Sequence, residues 1–158
     1  PSFSVTEDTP WFFESLAETG YIADSSVFPV KRDYGGYQIE QKKPYWIKTD
    51  KGNICEFPIS VASLLGKELC FFGGGYLRFF PKWVILYMHK KLAKKGIPTL
   101  YYIHPREMEP QHPRLNLNKK SYFKCYVNLK TVKPKLEAIL SSGEFVTCQQ
   151  YLEEMKDS

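Results

Sequence analysis

Residues 96–110 read Gly96-Ile-Pro-Thr-Leu-Tyr-Tyr-Ile-His-Pro-Arg-Glu-Met-Glu-Pro110, and this stretch predicts both the fold class and the site. Thr99 to Ile103 is a short run of β-branched, aromatic and aliphatic residues bounded by prolines, which predicts a buried strand. His104 is then expected at the carboxyl end of that strand, where α/β proteins gather ligands and catalytic side chains. Because imidazole exchanges a proton near neutral pH, His104 is a candidate acid or base. The alternative is a histidine that only caps the strand.

Asp24 is the candidate partner of His104. A Thr-Pro start and apolar residues at three- and four-residue spacing predict a helix over about residues 10–19. A strand is predicted over residues 21–27, with Asp24 near its end. A carboxylate that accepts a hydrogen bond from imidazole fixes its tautomer and favours the protonated ring, which suits a general acid. The alternative is that Asp24 only starts an Asx turn.

The length of 158 residues suits one domain, predicted over residues 1–158 with long loops at about 30–95 and 105–130. The chain begins at Pro1 with neither a methionine nor a signal segment, so it is expected to be part of a longer protein. Its apolar runs are far below the ~20 residues of a membrane span. Four widely spaced cysteines without a CxxC pair favour a reducing compartment. The predicted location is the bacterial or archaeal cytoplasm, or the cell envelope if a signal segment precedes the chain.

The net charge of +5 and the aromatic share of 16% limit the classes of partner. A basic, aromatic-rich chain binds nucleic acid through phosphates and base stacking, or sugars through ring faces and charged substituents. Composition alone does not distinguish these. Basic residues gather near the end of a helix predicted over 81–95, where the helix dipole already accounts for them. We therefore predict no nucleic-acid partner.

Local patterns predict the remaining elements. Two short apolar runs flank an Asp-Lys-Gly turn, which predicts a hairpin over residues 45–59. Glu56 lies inside this apolar pattern, where a carboxylate is either on an exposed face or paired, and the exposed face is favoured. The other predictions are a helical turn over 59–65, helices over about 81–95, 131–142 and 148–155, and a strand over 144–147.

A glycine-rich segment, Phe71-Phe-Gly-Gly-Gly-Tyr-Leu-Arg-Phe-Phe-Pro81, precedes the helix predicted over 81–95. Three consecutive glycines allow unusual backbone conformations and close approach of a ligand, but no GKS or GKT follows, so this is not a phosphate loop. The segment predicts a substrate-facing loop, with Tyr76 as a stacking surface and Arg78 as a contact for an anion or a sugar hydroxyl. The alternative is a flexible turn before a helix.

The stretch after His104, residues 105–120, is long, charged and punctuated by prolines. Loops of this length without regular structure tend to be functional. Arg106, Glu107 and Arg114 are its candidate substrate-binding residues.

Seven stretches, taken in their order and spacing, match one known family over nearly the whole chain. They are Pro1-Ser-Phe-Ser4, Gly20-Tyr-Ile-Ala-Asp-Ser-Ser-Val-Phe-Pro29, Glu56-Phe-Pro-Ile-Ser60, Gly73-Gly-Gly-Tyr-Leu-Arg78, Tyr102-Ile-His-Pro105, Pro113-Arg114 and Tyr126-Val-Asn-Leu129. In this combination the chain resembles the polysaccharide deacetylases with the NodB-homology domain. More narrowly, it resembles the exosortase-locus subgroup, which has a C-terminal extension of its own.

The resemblance implies an α/β fold, the C-terminal part of a distorted (β/α) barrel. It also implies a metal-dependent hydrolase that removes N-acetyl groups from an amino-sugar polysaccharide, with zinc or a similar divalent metal held by an Asp and two His. His104 matches the histidine that protonates the leaving amine, and Asp24 the carboxylate that tunes it. Tyr102 and Ile103 lie where the family shapes a pocket for the acetyl methyl. Arg106 departs from the tryptophan that is usual in the subgroup.

The family's metal-binding motifs would lie upstream of Pro1, and no residue of this chain is predicted as a metal ligand. The chain alone is therefore expected to be inactive, with the polysaccharide as the partner of the complete protein. Two other functions stay open. One is a non-catalytic carbohydrate-binding remnant that uses Tyr76, Arg78 and Arg114, and the other is a basic nucleic-acid-binding module.

Overall fold

The computed structural model describes residues 3–30, 36–37 and 39–156. Its contacts fall into a first unit, residues 1–61 with 146–158, and a second unit, residues 62–145. In chain order the elements are α1 (Trp11–Glu18), β1 (Ala23–Asp24), β2 (Tyr45–Thr49), β3 (Gly52–Glu56), β4 (Ala62–Leu64), β5 (Lys67–Leu69), α2 (Gly74–Phe79), α3 (Lys82–Ala93), α4 (Pro105–Met108), α5 (Lys119–Tyr126), a 3₁₀ turn (Leu129–Thr131), α6 (Val132–Leu140) and α7 (Cys148–Lys156).

The first unit contains a three-stranded sheet in the order β1-β3-β2. β2 and β3 form an antiparallel hairpin that closes at the Thr49–Gly52 pair, which confirms the predicted hairpin. β1 runs parallel to β3 and pairs Asp24 with Glu56. The sheet therefore places two carboxyl side chains next to each other on neighbouring strands.

The core of the first unit forms where α1 packs on the sheet. Phe13 of α1 lies in one buried cluster with Val5, Val27 and Ile54. The predicted helix over 10–19 is confirmed as α1. The strand predicted over 21–27 is only two residues long, because side-chain carboxylates occupy the backbone N–H groups of residues 26 and 27.

The second unit begins with a β4–β5 hairpin rather than the helical turn predicted over 59–65, which is wrong. Leu65 and Gly66 connect the strands with φ angles of 50° and 77°. Two successive positive φ angles are typical of the tight turn that matches the twist of a hairpin. The glycine that seemed to end a helix therefore serves this turn.

The core of the second unit is built by α3 and α6 around two consecutive phenylalanines. Phe71 and Phe72 are fully buried, and Ile85, Met88 and Ile139 pack in the same cluster. The helices predicted over 81–95, 131–142 and 148–155 are confirmed as α3, α6 and α7. The strand predicted over 144–147 is wrong, since these residues are exposed and have no ladder partner among the described residues.

The segment before His104 is extended but is not the buried strand predicted over 99–103. It makes one parallel bridge, between Gly73 and Tyr102, where the Tyr102 N–H donates to the Phe72 carbonyl at 3.0 Å. A Cβ atom on Gly73 would lie 2.7 Å from the Tyr102 carbonyl oxygen, so this approach requires glycine. The chain continues directly into α4, and no second bridge forms within the described part.

The fold is mixed α/β, as predicted, with one three-stranded and one two-stranded sheet among the described residues. These sheets do not close into a barrel within the residues that the structure covers. α3, with 12 residues, is too short to cross a bilayer, and so is every other described helix.

Candidate functional site

His104 occupies the position just before α4, and Glu107 holds its backbone there. The Glu107 side chain accepts a hydrogen bond from the His104 N–H at 3.0 Å, and the Glu107 N–H donates to the His104 carbonyl at 2.9 Å. Pro105 begins the helix, which is the position where its missing N–H costs nothing. Glu107 is the third residue of the helix, the position from which a Glu side chain accepts the N–H of the residue before a helix, so the sequence contains half of the capping-box pattern here.

The imidazole of His104 contacts the hydroxyl of Tyr102. Tyr102 Oη lies 2.9 Å from His104 Nε2, and the two rings meet edge to face at 4.7 Å between centroids. Both side chains are half-buried. In an extended chain residues two apart point to the same side, which explains the contact. A hydroxyl both donates and accepts, so Tyr102 can orient the ring in either protonation state.

Arg78 fixes Glu107 in turn. The two side chains form a buried ion pair, 2.5 Å between Nη1 and Oε1, with Arg78 2% exposed and Glu107 1% exposed. Arg78 Nη2 also donates to the Lys124 carbonyl at 2.7 Å. Arg78 thus acts on His104 through Glu107, a connection that sequence reasoning missed because it joins residues 29 positions apart. Its predicted contact with a substrate stays a prediction.

The glycine-rich segment is a helix rather than the predicted loop. Gly73 precedes α2, which runs from Gly74 to Phe79 and includes Tyr76 and Arg78. Tyr76 is 39% exposed, with its ring stacked on that of Phe80 at 6.2 Å. The loop interpretation is wrong because α2 forms directly after Gly73, and the stacking function of Tyr76 stays a prediction.

The other predicted binding residues lie around α4. Ile103 packs against the core of the second unit. Arg106 is exposed on α4. Arg114 lies over the ring of Tyr126 at 4.3 Å and donates to the Pro110 carbonyl. All of these belong to the second unit together with His104, and their substrate contacts stay predictions.

The first unit holds a second cluster of titratable groups, the carboxyl pair Asp24 and Glu56. Asp24 accepts hydrogen bonds from the backbone N–H and the hydroxyl of Ser26, both at 3.0 Å, and so starts an Asx-type turn. Glu56 Oε1 accepts from the Val27 N–H at 3.0 Å. The carboxyl pair therefore folds the chain tightly over the end of β1.

Glu56 is fully buried, so the exposed face favoured from sequence is wrong. Its pKa is raised to about 8, chiefly because the side chain is buried and also because the Asp24 carboxylate lies beside it. The hydrogen bond from Val27 acts in the opposite direction. Its Oε2 has no hydrogen-bond partner among the described residues. Glu56 is therefore protonated and neutral at pH 7, which removes the cost of a second buried charge.

Replacing Glu56 with glutamine is expected to remove a pH dependence of stability. The folded state keeps the Glu56 proton up to pH 8, whereas the unfolded chain loses it near pH 4.5. The contribution of Glu56 to stability is therefore fully present below pH 4.5 and is lost as the pH rises to about 8, by about 1.4 kcal/mol per pH unit. Urea unfolding at pH 5, 6, 7 and 8 should show a loss of about 4 kcal/mol that Glu56→Gln lacks.

Glu18→Gln is the matched control, because Glu18 is exposed at the end of α1 in the same unit. It should keep the wild-type pH dependence. An identical slope for wild type and Glu56→Gln would show that Glu56 is ionised in the folded protein.

Asp24 belongs to the first unit and His104 to the second. Their predicted pairing stays a prediction. Among residues 3–30, 36–37 and 39–156, no three His, Cys, Asp or Glu side chains lie close enough together to hold a metal ion. The described residues therefore do not fit the divalent metal that the resemblance implies.

The model of the family described as "Domain of unknown function (DUF3473)" matches residues 25–153. No curated protein and no solved structure matches the chain significantly. The matched range includes Glu56, all of the second unit and most of α7, and it begins just after Asp24.

Proposed function

Because the chain belongs to the DUF3473 family, whose description names no activity, we propose its function from its own residues. The chain is the C-terminal part of a polysaccharide N-deacetylase, and His104 is its proton donor. The reaction is hydrolysis of the acetamido group of an amino-sugar polymer. In the proposal, the chain supplies part of a distorted (β/α) barrel.

The observation that carries the proposal is that His104 is held in one orientation and is still partly exposed. Its backbone is fixed by Glu107 and its ring by the Tyr102 hydroxyl, while the side chain keeps partial solvent access. A general acid needs this combination, because it must hold one orientation and still reach the atom that it protonates. The matching stretches, with Tyr102-Ile-His-Pro105 among them, give the proposal its reaction class.

Hydrolysis adds water across the amide bond of the acetamido group. The carbon–nitrogen bond breaks, the water oxygen ends in acetate, and the sugar nitrogen leaves as an amine. An amine anion is a very poor leaving group, so the nitrogen must be protonated as the bond breaks. In the proposal the His104 imidazolium gives up this proton and recovers it from water after acetate has left.

Two neighbours and one proposed partner support this step. Tyr102 orients the ring through its hydroxyl and Glu107 holds the backbone, whereas Asp24 is proposed to favour the protonated ring. The divalent metal of the family, zinc or similar, would activate water. In the proposal its ligands lie in other parts of the complete protein, as the resemblance implies.

Acetate release tests the proposed function. The complete protein, incubated with a chitin oligosaccharide, should release one acetate for each new free amine, and a chelator should stop the release. The matched control substrate is a cello-oligosaccharide of equal length, which lacks N-acetyl groups and should yield nothing. Failure to release acetate from N-acetylated amino-sugar oligomers and polymers would contradict the proposal.

A further inference from the structure

The carboxyl pair of the first unit holds one proton between two side chains. Asp24 of β1 and Glu56 of β3 are register partners on neighbouring strands. Burial opposes the charged form of a carboxyl group, and a second carboxylate at the same place is opposed still more strongly. Glu56 is fully buried and Asp24 is half-buried. Glu56 is therefore the member of the pair that keeps its proton.

The hydrogen bonds of Glu56 indicate which of its oxygens carries the proton. Oε1 accepts from the Val27 N–H at 3.0 Å, so this oxygen acts as an acceptor. Oε2 is buried and receives no hydrogen bond from a donor among the described residues. A neutral carboxyl group has one O–H to donate, and the acceptor beside it is the Asp24 side chain. Oε2 is therefore the oxygen whose O–H donates to Asp24.

Asp24 is held by three donors in this arrangement. The Ser26 N–H donates to Oδ2 and the Ser26 hydroxyl to Oδ1, both at 3.0 Å. The O–H of Glu56 is the third donor. Hydrogen bonds to a carboxylate favour its charged form, so the negative charge of the pair is placed on Asp24 and the carboxylate is fixed in one orientation.

The other groups around Glu56 are neutral. Tyr45 of β2 is its register partner on the other side, and burial raises the pKa of the Tyr45 hydroxyl. Burial also raises the pKa of the preceding Cys55 thiol to about 11. α1 and α7 meet β3 through Phe13 and Met155, which carry no charge. The proton of Glu56 therefore depends chiefly on burial and on the other carboxyl group of the pair.

We propose that Glu56 is the positioning residue of Asp24 and holds it as an oriented carboxylate. The inference rests on the proposed function, in which Asp24 favours the protonated ring of His104. Glu56 touches no reacting atom in this scheme and acts only through Asp24. Loss of the Glu56 proton removes the donor and adds a second negative charge, so the orientation of Asp24 is lost at alkaline pH.

Two substitutions separate the hydrogen bonds of Glu56 from the bulk of its side chain. Glutamine keeps an acceptor for the Val27 N–H and offers an amide N–H to Asp24, so it resembles the protonated acid. Leucine has a similar size and offers neither group. In the complete protein, Glu56→Leu should lower kcat for acetate release from a chitin oligosaccharide by about tenfold with KM unchanged, and Glu56→Gln should recover most of this loss.

The pH profile of kcat tests the proton itself. Wild-type kcat should include a fall through about pH 8, where Glu56 loses its proton and the donor to Asp24 disappears. Glu56→Gln has no proton to lose and should lack this part of the decline. Glu18→Gln, which changes an exposed carboxyl group of the same unit, is the matched control and should keep the wild-type profile. Circular dichroism at each pH establishes that the protein is folded.

An ester substrate separates positioning from a loss of folded protein. p-Nitrophenyl acetate releases a phenolate that needs no proton, so Glu56→Leu should keep nearly the wild-type rate on the ester. Equal losses of Glu56→Leu on the amide and the ester would overturn the positioning function and leave deacetylation intact. Failure of Glu56→Gln to recover turnover on the amide would overturn it as well.

Infrared spectroscopy of the chain tests the location of the proton without any turnover. At pH 7 the spectrum should contain the C=O band of a protonated carboxyl group, which disappears above pH 8 and is missing in Glu56→Gln. A wild-type spectrum without this band would overturn the proposal whatever the rates are. A wild type that releases no acetate would overturn the proposed function, and the function of Glu56 with it, before any variant is made. The two failures are therefore distinguishable.

Discussion

His104→Ala should lower the turnover of the complete protein by ~10²-fold or more, with metal content and substrate KM unchanged. The substitution removes the group that is proposed to protonate the leaving amine, and it leaves the backbone contacts of residue 104 with Glu107 in place. Initial rates of acetate release from a chitin oligosaccharide, together with the metal content of each purified protein, measure the effect.

His112→Ala is the matched control. His112 lies on the irregular segment after α4, with Nδ1 2.7 Å from the Glu109 carbonyl oxygen, and no part of the proposed reaction uses it. This variant should turn over like wild type. Unchanged turnover in His104→Ala, or an equal loss in both variants, would remove His104 from the mechanism.

Arg78→Met should lower the free energy of unfolding by about 3–5 kcal/mol. The substitution leaves the Glu107 carboxylate buried without its counter-charge and takes the donor from the Lys124 carbonyl. Because Glu107 also holds His104, turnover should fall as well. Urea unfolding at neutral pH, followed by circular dichroism, measures the loss of stability.

Two further variants separate the buried charge from general effects of the substitution. Arg106→Met changes an exposed arginine on α4 and should alter stability by less than about 0.5 kcal/mol. Adding Glu107→Gln to Arg78→Met should recover part of the lost stability, since an amide keeps an acceptor for His104 and carries no charge. A loss below about 1 kcal/mol in Arg78→Met would show that the pair contributes little.

The sequence correctly predicted the helices and the turn that are specified by residues close together in the chain. The apolar periodicity of α1, α3 and α6 and the Asp-Lys-Gly turn between β2 and β3 all lie within a few residues of the structure they specify. The wrong helical turn predicted over residues 59–65 also came from a local signal. A glycine such as Gly66 can either end a helix or close a hairpin. The hairpin is distinguished by a second positive φ angle at the preceding residue, Leu65, which the sequence does not reveal.

The candidate site was only partly predictable because its supports are distant in sequence. His104 and Asp24 stood out by residue type and position. Glu56 seemed exposed because its partners, Asp24 of β1 and Val27 just after β1, lie about 30 residues away in the sequence. The ion pair of Arg78 was not predicted, because its partner Glu107 lies 29 residues further along the chain. Burial of a charged group follows from tertiary contacts that local pattern does not contain.

The most direct test of His104 as the proton donor compares two leaving groups. An N-acetyl sugar amide needs its nitrogen protonated, whereas p-nitrophenyl acetate releases a stable phenolate that needs no proton. His104→Ala should lose ~10²-fold on the amide and keep nearly the wild-type rate on the ester. Equal losses on both substrates would contradict the assignment of His104 as general acid.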